Sequence, residues 1–266
     1  MVSSMKPLAT RPTLSPRHGT KKRLHKEDFY PKNFFDPLTL LTGKNSPGTM
    51  PNKLAFAHEP PLKHDTLNIV LATRNQKKTE EIRRILAGTG VLLQNLTDFP
   101  ACPDVEEDGV TFQENAAKKA LQVAGFTGLT ALADDSGLVV DCLGGAPGVW
   151  SARYAGLGAS DADNVHKLLR AVRDYSPAER TARFECVLSL AHPDGRVFHF
   201  HGSVLGHIID TPRGVNGFGY DPVFVPTPFD QTFAEMPGAQ KDAISHRGRA
   251  LVAFAAALRE SVGMMG

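Results

Sequence analysis

Two long segments in which apolar and polar residues alternate, 181–191 and 197–209, constrain the fold of this 266-residue chain more than any other feature. The turn residues Pro193, Asp194 and Gly195 lie between them, and this pattern is typical of an antiparallel β-hairpin. Elsewhere, apolar residues with helical spacing separate shorter apolar runs. A hairpin embedded among alternating strands and helices predicts an α/β or α+β fold with a mixed sheet, in one domain of about 200 residues.

The elements around the hairpin follow from periodicity and from helix start signals. A helix is expected to open after Thr73 and Asn75, because Ile82, Ile85 and Leu86 then share one face. The other predicted elements are strands over residues 67–72, 91–93 and 129–133, and helices over 111–126, over 161–174 and from His246 onward. The interleaving supports one continuous domain that begins near residue 66.

The charge of the chain is distributed unevenly. Residues 1–64 hold 11 Lys and Arg against 4 Asp and Glu, whereas the remaining residues hold 19 against 24. Prolines recur in the first segment, and its apolar residues show no sustained period. We therefore predict a basic, disordered extension over residues 1–65 and a folded domain over residues 66–266. A transit peptide and a nucleic-acid-binding arm remain alternatives for the extension.

The composition is that of an ordinary globular protein, with 41% hydrophobic and 22% charged residues. No stretch approaches the roughly 20 apolar residues of a membrane span, so we expect a soluble, cytoplasmic protein. The cysteines, Cys102, Cys142 and Cys186, are widely spaced and odd in number. This argues against a disulfide framework or a structural zinc site.

The segment that opens the first helix contains residues suited to binding a phosphate. Thr73, Asn75 and Lys78 follow a predicted strand, and a helix start presents backbone N–H groups together with a positive dipole end. A hydroxyl, an amide and an ammonium group at that point favour an anion. The alternative is an ordinary helix cap followed by a solvated lysine-rich face.

Two acidic segments are candidates for a metal site. Asp134 and Asp135 follow an apolar strand, where a carboxylate is costly unless a cation or hydrogen-bond donors meet it. Glu106 and Glu107 lie in a short acidic run before a helix, and Mg²⁺ prefers a few carboxylates together with phosphate oxygens. The alternatives are a turn capped by Ser136 and a loop that supplies acids to a helix start.

Two later segments suit recognition of a base. Phe218 lies between Gly217 and Gly219, and an exposed aromatic ring in such a loop can stack on a nucleobase. His246 and Arg247 are expected in the first turn of the last helix, where cations oppose the helix dipole and an anionic ligand would relieve the conflict. The alternatives are a buried Phe218 and two solvated side chains.

Taken in order, six motifs resemble those of the inosine triphosphate pyrophosphatase family, the XTP/dITP diphosphatases. They are Thr73-x-Asn75-x-x-Lys78, ADDSGL at 133–138, GGAPG at 144–148, SARY at 151–154, GFGYDP at 217–222 and ISHR at 244–247. The resemblance runs from about residue 68 to about residue 258 and leaves the first 65 residues uncovered.

The resemblance implies a two-lobed α/β fold in which a long curved mixed β-sheet is flanked by helices, with a cleft between the lobes. It implies Mg²⁺-dependent hydrolysis of ITP, dITP and XTP to the nucleoside monophosphate and pyrophosphate. It further implies a cytoplasmic homodimer that needs neither nucleic acid nor a membrane. Such an enzyme removes non-canonical nucleotides from the nucleotide pool.

By resemblance, Asp135 is expected to be the general base and a metal ligand, with Glu106 as the second metal ligand. The substrate contacts implied are Thr73, Arg74, Asn75, Gln76, Lys77, Lys78, Ser136, Phe218, Gly219, Tyr220, Asp221, Lys241, His246 and Arg247. Arg74 either adds a phosphate contact or points to solvent.

Three other functions were weighed. A related pyrophosphatase acting on other modified nucleotides, such as the septum-formation type, is disfavoured by the ISHR and GFGYDP motifs. A nucleotide-binding module without activity is disfavoured by the presence of Lys78, Asp135 and Lys241. A nucleic-acid-binding protein that uses the basic extension remains open.

Overall fold

A computed structural model describes residues 67–263, so the predicted extension over residues 1–65 lies outside the described residues. Six strands form one sheet in the order β2-β1-β3-β4-β5-β6. They are β1 Asn68–Leu71, β2 Leu92–Asn95, β3 Thr130–Val140, β4 Thr181–Ala191, β5 Val197–Ile208 and β6 Phe224–Pro226. β1 is parallel to β2 and β3, and the remaining pairs are antiparallel. The predicted mixed sheet and the central hairpin are confirmed.

In the part of the chain that the structure describes, five α-helices flank the sheet: α1 Gln76–Ile85, α2 Phe112–Thr127, α3 Asp161–Val172, α4 Gly238–Ile244 and α5 His246–Gly263. Capping residues explain where several of them begin. α2 starts at a capping box formed by Thr111 and Glu114 and ends at Gly128, whose φ is +68°. α4 and β6 were not predicted, because both are short and lack a clear period. Within residues 67–263, no helix combines the length and apolar character needed to cross a membrane.

The third strand is longer than predicted. It was expected to end at residue 133, but its antiparallel pairing with β4 continues as far as Val140, opposite Ala182. Asp134 and Asp135 therefore lie within the strand. Because successive side chains of a strand point to opposite faces, these two carboxylates face different sides of the sheet.

Helices cover the two faces differently. α2 packs on β3 and β4 on one face, and α5 packs on β4 and β5 on the other. Three apolar clusters result. One lies under α2, one lies under α1 and α5, and the third surrounds Leu168, Phe184 and Phe224 at the far end of the sheet near α3. The third cluster forms the core of a second lobe, in agreement with the predicted two-lobed α/β fold.

A glycine in β3 lets a neighbouring segment approach the sheet. The 3₁₀ helix Gly148–Arg153 lies so close to Gly137 that a Cβ at this position would be 2.5 Å from the Gly148 carbonyl oxygen. The Ser151 hydroxyl replaces a sheet partner by accepting a hydrogen bond from the Leu138 N–H at 2.9 Å. This approach brings the 3₁₀ helix to the edge of the pocket described next.

Candidate active site

A pocket of about 320 Å³ opens where β1 ends and β3 continues. The connections that leave β1 and enter β3 place α1 and α2 on opposite faces of the sheet, and ligands of open α/β sheets gather at such points. The lining residues come from six segments: Ala72, Thr73, Arg74, Asn75 and Lys78; Leu96; Pro103, Asp104, Val105 and Glu107; Lys119 and Val123; Asp135 and Ser136; and Val149 and Ala152.

The start of α1 forms one wall of this pocket. The Asn75 side chain caps the helix by accepting a hydrogen bond from the Lys78 N–H at 3.2 Å, and the Thr73 hydroxyl accepts one from the Asn75 N–H at 3.1 Å. The capping interpretation of this segment is therefore correct. A helix start that faces a pocket also presents its positive dipole end to whatever binds there, so the cap and the anion site are compatible.

Asp134 faces α1 and α5 and is fully paired. Its carboxylate accepts hydrogen bonds from Arg247 Nε at 2.9 Å, from the Ser136 hydroxyl at 3.0 Å, from the Cys186 thiol at 3.1 Å and from Lys78 Nζ. Burial alone would raise the pKa of Asp134, but Arg247 and Lys78 hold that pKa well below its usual range. Asp134 is thus an ionised anchor that joins two helices to the sheet.

Asp135 faces α2 and is incompletely paired. Lys119 Nζ lies 3.5 Å from its Oδ1, while Oδ2 is buried and has no hydrogen-bond partner within the described part of the chain. Burial raises the pKa of Asp135 above the ordinary aspartate value, although Lys119 and Lys78 act in the opposite direction. A buried carboxylate oxygen without a partner is costly and marks a functional position.

A second carboxylate reaches the same pocket, and it belongs to Glu107. Lys119 Nζ donates to Glu107 Oε1 at 2.7 Å and to the Asp134 carbonyl oxygen at 2.7 Å. Arg153 fixes the loop from the other side by donating to the Glu107 carbonyl oxygen at 2.6 Å. Glu106 is exposed and is not among the lining residues, so the structure brings Glu107 to Asp135 in its place.

Lys241 belongs to a buried ionic network next to the pocket. Its ammonium group donates to Glu81 Oε1 at 2.8 Å and to Asp221 Oδ2 at 2.6 Å, and Arg247 also pairs with Glu81. Asp221 Oδ2 in turn accepts the Phe218 N–H at 2.8 Å. The network therefore supports the loop that carries Phe218.

The half-buried ring of Phe218 lies among cations. The Lys241 ammonium is 4.9 Å from the ring centroid, the Arg247 guanidinium carbon 5.6 Å and the Lys77 ammonium 5.9 Å. These distances are within the range of cation–π attraction. The structure thus brings Phe218 and Arg247 together. Arg247 in turn pairs with Asp134, the neighbour of Asp135.

Two further predicted substrate contacts, Tyr220 and His246, are buried. The Tyr220 hydroxyl donates to the Ser151 carbonyl oxygen at 2.8 Å. His246 stacks on the Phe184 ring with centroids 4.7 Å apart, and burial together with Arg247 holds the pKa of His246 well below its usual value. Among residues 67–263, its Nδ1 has no hydrogen-bond partner.

The three remaining predicted contacts lie at the surface near α1. Arg74 lines the pocket, and its guanidinium donates to Asp104 Oδ1 at 2.9 Å and to the Cys102 carbonyl oxygen at 2.7 Å. Arg74 thus holds the loop that leads to Glu107 and is exposed at the pocket, so a phosphate contact by Arg74 stays a prediction. Gln76 and Lys77 are exposed on the first turn of α1.

Comparison with known proteins agrees with this geometry. The model of the Ham1 family matches residues 69–257. The chain belongs to the Ham1 family. The resemblance inferred from the six motifs is thereby confirmed.

Relatives of this Ham1 chain carry an enzyme name. A dITP/XTP pyrophosphatase of Geobacter sulfurreducens is 52% identical over 198 residues, which cover 74% of this chain and 98% of the relative. A dITP/XTP pyrophosphatase of Syntrophobacter fumaroxidans is 54% identical over 184 residues, covering 69% and 78% of the two chains. These matches extend over most of each relative.

A solved structure shares the Ham1 fold. A HAM1 protein from Coxiella burnetii matches with a TM-score of 0.68 and 44% sequence identity, covering 73% of this chain and 99% of that chain. This likeness confirms the predicted α/β architecture, with its mixed curved sheet and flanking helices.

Sequence reasoning missed two charged residues of this Ham1 site, Glu81 and Lys119, and it assigned the second metal ligand to Glu106 although Glu107 lies in the same candidate segment. A signal for Lys119 was present. It lies three residues after Ala116 and four before Val123, both predicted to face inward on α2, so it is a cation within an apolar stripe. No comparable signal separates Glu107 from Glu106, since both lie in an irregular loop.

The carboxylates of the site suit a metal bound jointly with a substrate. Across the described residues, no group of three or more His, Cys, Asp or Glu side chains is arranged to hold a metal. Mg²⁺, however, takes one or two carboxylates together with substrate phosphates. Asp135, with its unpartnered oxygen, and Glu107, which shares Lys119 with it, fit that requirement.

Proposed function

We propose that this chain hydrolyses the non-canonical purine nucleoside triphosphates ITP, dITP and XTP to the nucleoside monophosphate and pyrophosphate. The observation that carries the proposal is Asp135. It combines a buried, unpartnered oxygen and a raised pKa with a place in a pocket whose wall is a helix N-terminus. The names of the dITP/XTP pyrophosphatase relatives support the substrate class.

The proposed reaction follows from these positions. A water molecule attacks the α phosphorus, Asp135 accepts its proton, and the bond from that phosphorus to the bridging oxygen breaks. Pyrophosphate then leaves. General-base assistance of this kind contributes on the order of 10²–10⁴-fold in rate. The raised pKa of Asp135 makes its carboxylate a stronger base than an ordinary aspartate.

Asp135 and Glu107 would hold Mg²⁺ in this scheme, in place of the Glu106 expected from the sequence. The bound ion would neutralise triphosphate charge and make the attacking water more acidic. Lys119 contacts both carboxylates, and its positive charge offsets part of their negative charge when no substrate is bound.

The rest of the substrate is assigned to two neighbouring surfaces. Thr73, Asn75 and Lys78 at the start of α1 would bind the phosphates, since hydroxyl, amide and ammonium groups meet a helix dipole there. The ring of Phe218 would stack on the purine. Donors that face O6 would favour a 6-oxopurine over adenine, because the amino group of adenine would place one donor against another. GTP also has O6, so the proposed preference for ITP and XTP over GTP is supported by the names of the relatives alone.

Comparing ITP, XTP, GTP and ATP in the presence of Mg²⁺, with identification of the products, tests this function. The expected result is faster turnover of ITP and XTP than of GTP and ATP, with pyrophosphate as the released product. Release of orthophosphate would contradict the proposed reaction. Equal rates with all four nucleotides would contradict the proposed specificity.

We further propose that residues 66–266 form the catalytic domain and that residues 1–65 are an extension. The family match begins at residue 69, and 74% of this chain covers 98% of the Geobacter relative. Deleting residues 1–64 is expected to leave ITP hydrolysis within about twofold of the full chain. Assays of nucleic-acid binding on both proteins would separate a binding arm from a passive extension.

The family resemblance also supports a cytoplasmic homodimer. Light scattering on the purified protein is expected to give twice the chain mass of 28.8 kDa. A monomeric mass with full activity would contradict the proposed assembly and leave the proposed reaction intact.

A further inference from the structure

The loop that presents Phe218 is held by one local contact and by two contacts from distant segments. Gly217 and Gly219 have φ values of +74° and +62°, which are left-handed conformations that glycine adopts readily. Three contacts fix the loop: Asp221 accepts the Phe218 N–H, Lys77 donates to the Gly217 carbonyl oxygen at 3.4 Å, and Asp161 Oδ2 accepts the Gly219 N–H at 2.8 Å. The last contact joins two segments 58 residues apart.

Asp161 is the first residue of α3, but the cap of that helix does not depend on it. Ser160 Oγ accepts the Asp163 N–H at 3.2 Å, and Asp163 Oδ2 accepts the Ser160 N–H at 3.0 Å. These two residues complete the capping box. The Asp161 carboxylate is therefore directed to the Gly219 backbone.

α3 is a firm support for such a contact. Val165 and Leu168 bury one of its faces in the core of the second lobe. Asn164, which is 3% exposed, accepts the Ala155 N–H at 2.7 Å and donates to the carbonyl oxygen of Ala152 at 3.2 Å. Because Ala152 lines the pocket, the first turns of α3 contact both the pocket wall and the Phe218 loop.

We propose that Asp161 is a positioning residue for nucleotide binding: by accepting the Gly219 N–H it fixes the loop backbone and thereby the orientation of the Phe218 ring. This inference rests on the proposed function, in which Phe218 stacks on the purine. The proposed phosphate contacts are Thr73, Asn75 and Lys78, which lie on another segment. Loss of the Asp161 contact should therefore affect binding of the base and not binding of the phosphates.

The test compares Asp161→Ala, Asp161→Asn and Asp174→Ala in steady-state hydrolysis of ITP. Asp161→Ala is expected to raise KM by about five- to tenfold with kcat within about twofold, as for loss of uniform binding. Asp161→Asn keeps an acceptor oxygen and is expected to restore KM to near the wild-type value. Asp174→Ala removes an exposed carboxylate just beyond the other end of the same helix, and its KM is expected to match the wild type.

Inorganic pyrophosphate is the second probe, since it has phosphates but no base. Its inhibition constant is expected to stay at the wild-type value in all three variants. An unchanged KM in Asp161→Ala would overturn the inference. So would a parallel rise of KM and of the pyrophosphate inhibition constant, because that result would place the effect on the whole pocket.

These outcomes are distinct from failure of the proposed function. A wild-type protein that releases no pyrophosphate from ITP contradicts the function itself. An active wild-type protein with an unaffected Asp161→Ala variant contradicts the role of Asp161 alone.

Discussion

The two faces of β3 at Asp134 and Asp135 form a natural comparison, because neighbouring carboxylates of one strand have opposite environments. Asp134 is 2% exposed and receives donors from α1, from α5 and from β4. Asp135 is 5% exposed, and among residues 67–263 its Oδ2 has no hydrogen-bond partner. Burial raises both pKa values, but the cations that pair with Asp134 lower its pKa overall, whereas the pKa of Asp135 stays raised.

The difference shows how neighbouring residues of one strand can have different roles, one in stability and one in catalysis. The period of two places one acid against Arg247 and Lys78, where it stabilises the joint between helices and sheet. The other acid is directed toward α2 and the pocket, where a free carboxylate oxygen is available for a metal or a water molecule. The same substitution on the two faces should consequently affect stability in one case and turnover in the other.

The largest effect is expected for Asp135→Asn on turnover. Loss of the base should lower kcat for ITP on the order of 10³-fold. The melting temperature should stay the same or rise, because a neutral amide is less costly to bury than an unpaired carboxylate. Calorimetric unfolding and steady-state kinetics on the same preparation measure both quantities. Near-wild-type hydrolysis would remove Asp135 from the mechanism.

The matched substitution Asp134→Asn should act mainly on stability. It removes the carboxylate that pairs with both Arg247 and Lys78 and leaves Arg247 with Glu81 alone, and breaking a buried ion pair in this way costs about 3 kcal/mol or more. Denaturant titration gives the free energy of unfolding. If Asp134→Asn were as stable as Asp135→Asn, the structural role assigned to Asp134 would be wrong.

A smaller effect is expected from the second pocket acid. Glu107→Gln should raise the Mg²⁺ concentration needed for half-maximal ITP hydrolysis by about tenfold, as expected when metal coordination is weakened. Glu106→Gln is the control, since Glu106 is exposed and should behave like the wild type. If Glu106→Gln needed more Mg²⁺ than Glu107→Gln, Glu106 would be the second metal ligand, as the sequence predicted.

The smallest effect concerns the pH dependence of stability without divalent metal. Asp135 has a raised pKa, so its ionisation should destabilise the folded protein as pH rises from the unfolded-state value of about 3.9 through the folded value. The stability of Asp135→Asn relative to the wild type should therefore increase with pH over that window.

The contribution of Asp134 to the free energy of unfolding should change with pH in the opposite direction. Its pKa is lowered, so its contribution is complete above the unfolded-state value and is lost as pH falls toward the folded one. The advantage of the wild type over Asp134→Asn should thus shrink on acidification. Free energies of unfolding from denaturant titrations at several pH values measure both trends. Equal signs for the two variants would contradict the comparison.

Much of the fold could be predicted from periodicity. The hairpin of β4 and β5, the buried strand β1 and the helices α1, α2, α3 and α5 all have a clear period, and each was found within a few residues. The end of β3 could not be predicted, because two acids and a glycine resemble a turn. Pairing with β4 and the donors around Asp134 overcome that local preference.

Site residues that belong to a sequence motif could be predicted. Site residues whose position depends on packing between distant segments were harder to predict. The sequence led to Asp135 and Lys78, and the structure brings both to the pocket. It did not separate Glu107 from Glu106, because Lys119 and the backbone contact of Arg153 select the loop conformation. The burial of His246 against Phe184 likewise depends on contacts between distant segments.

The most direct test of the central claim is ITP hydrolysis in ¹⁸O-labelled water with mass analysis of both products. Water attack at the α phosphorus beside Asp135 predicts one ¹⁸O atom in inosine monophosphate and none in pyrophosphate. Label in pyrophosphate with unlabelled monophosphate would mean attack at the β phosphorus and would contradict the account.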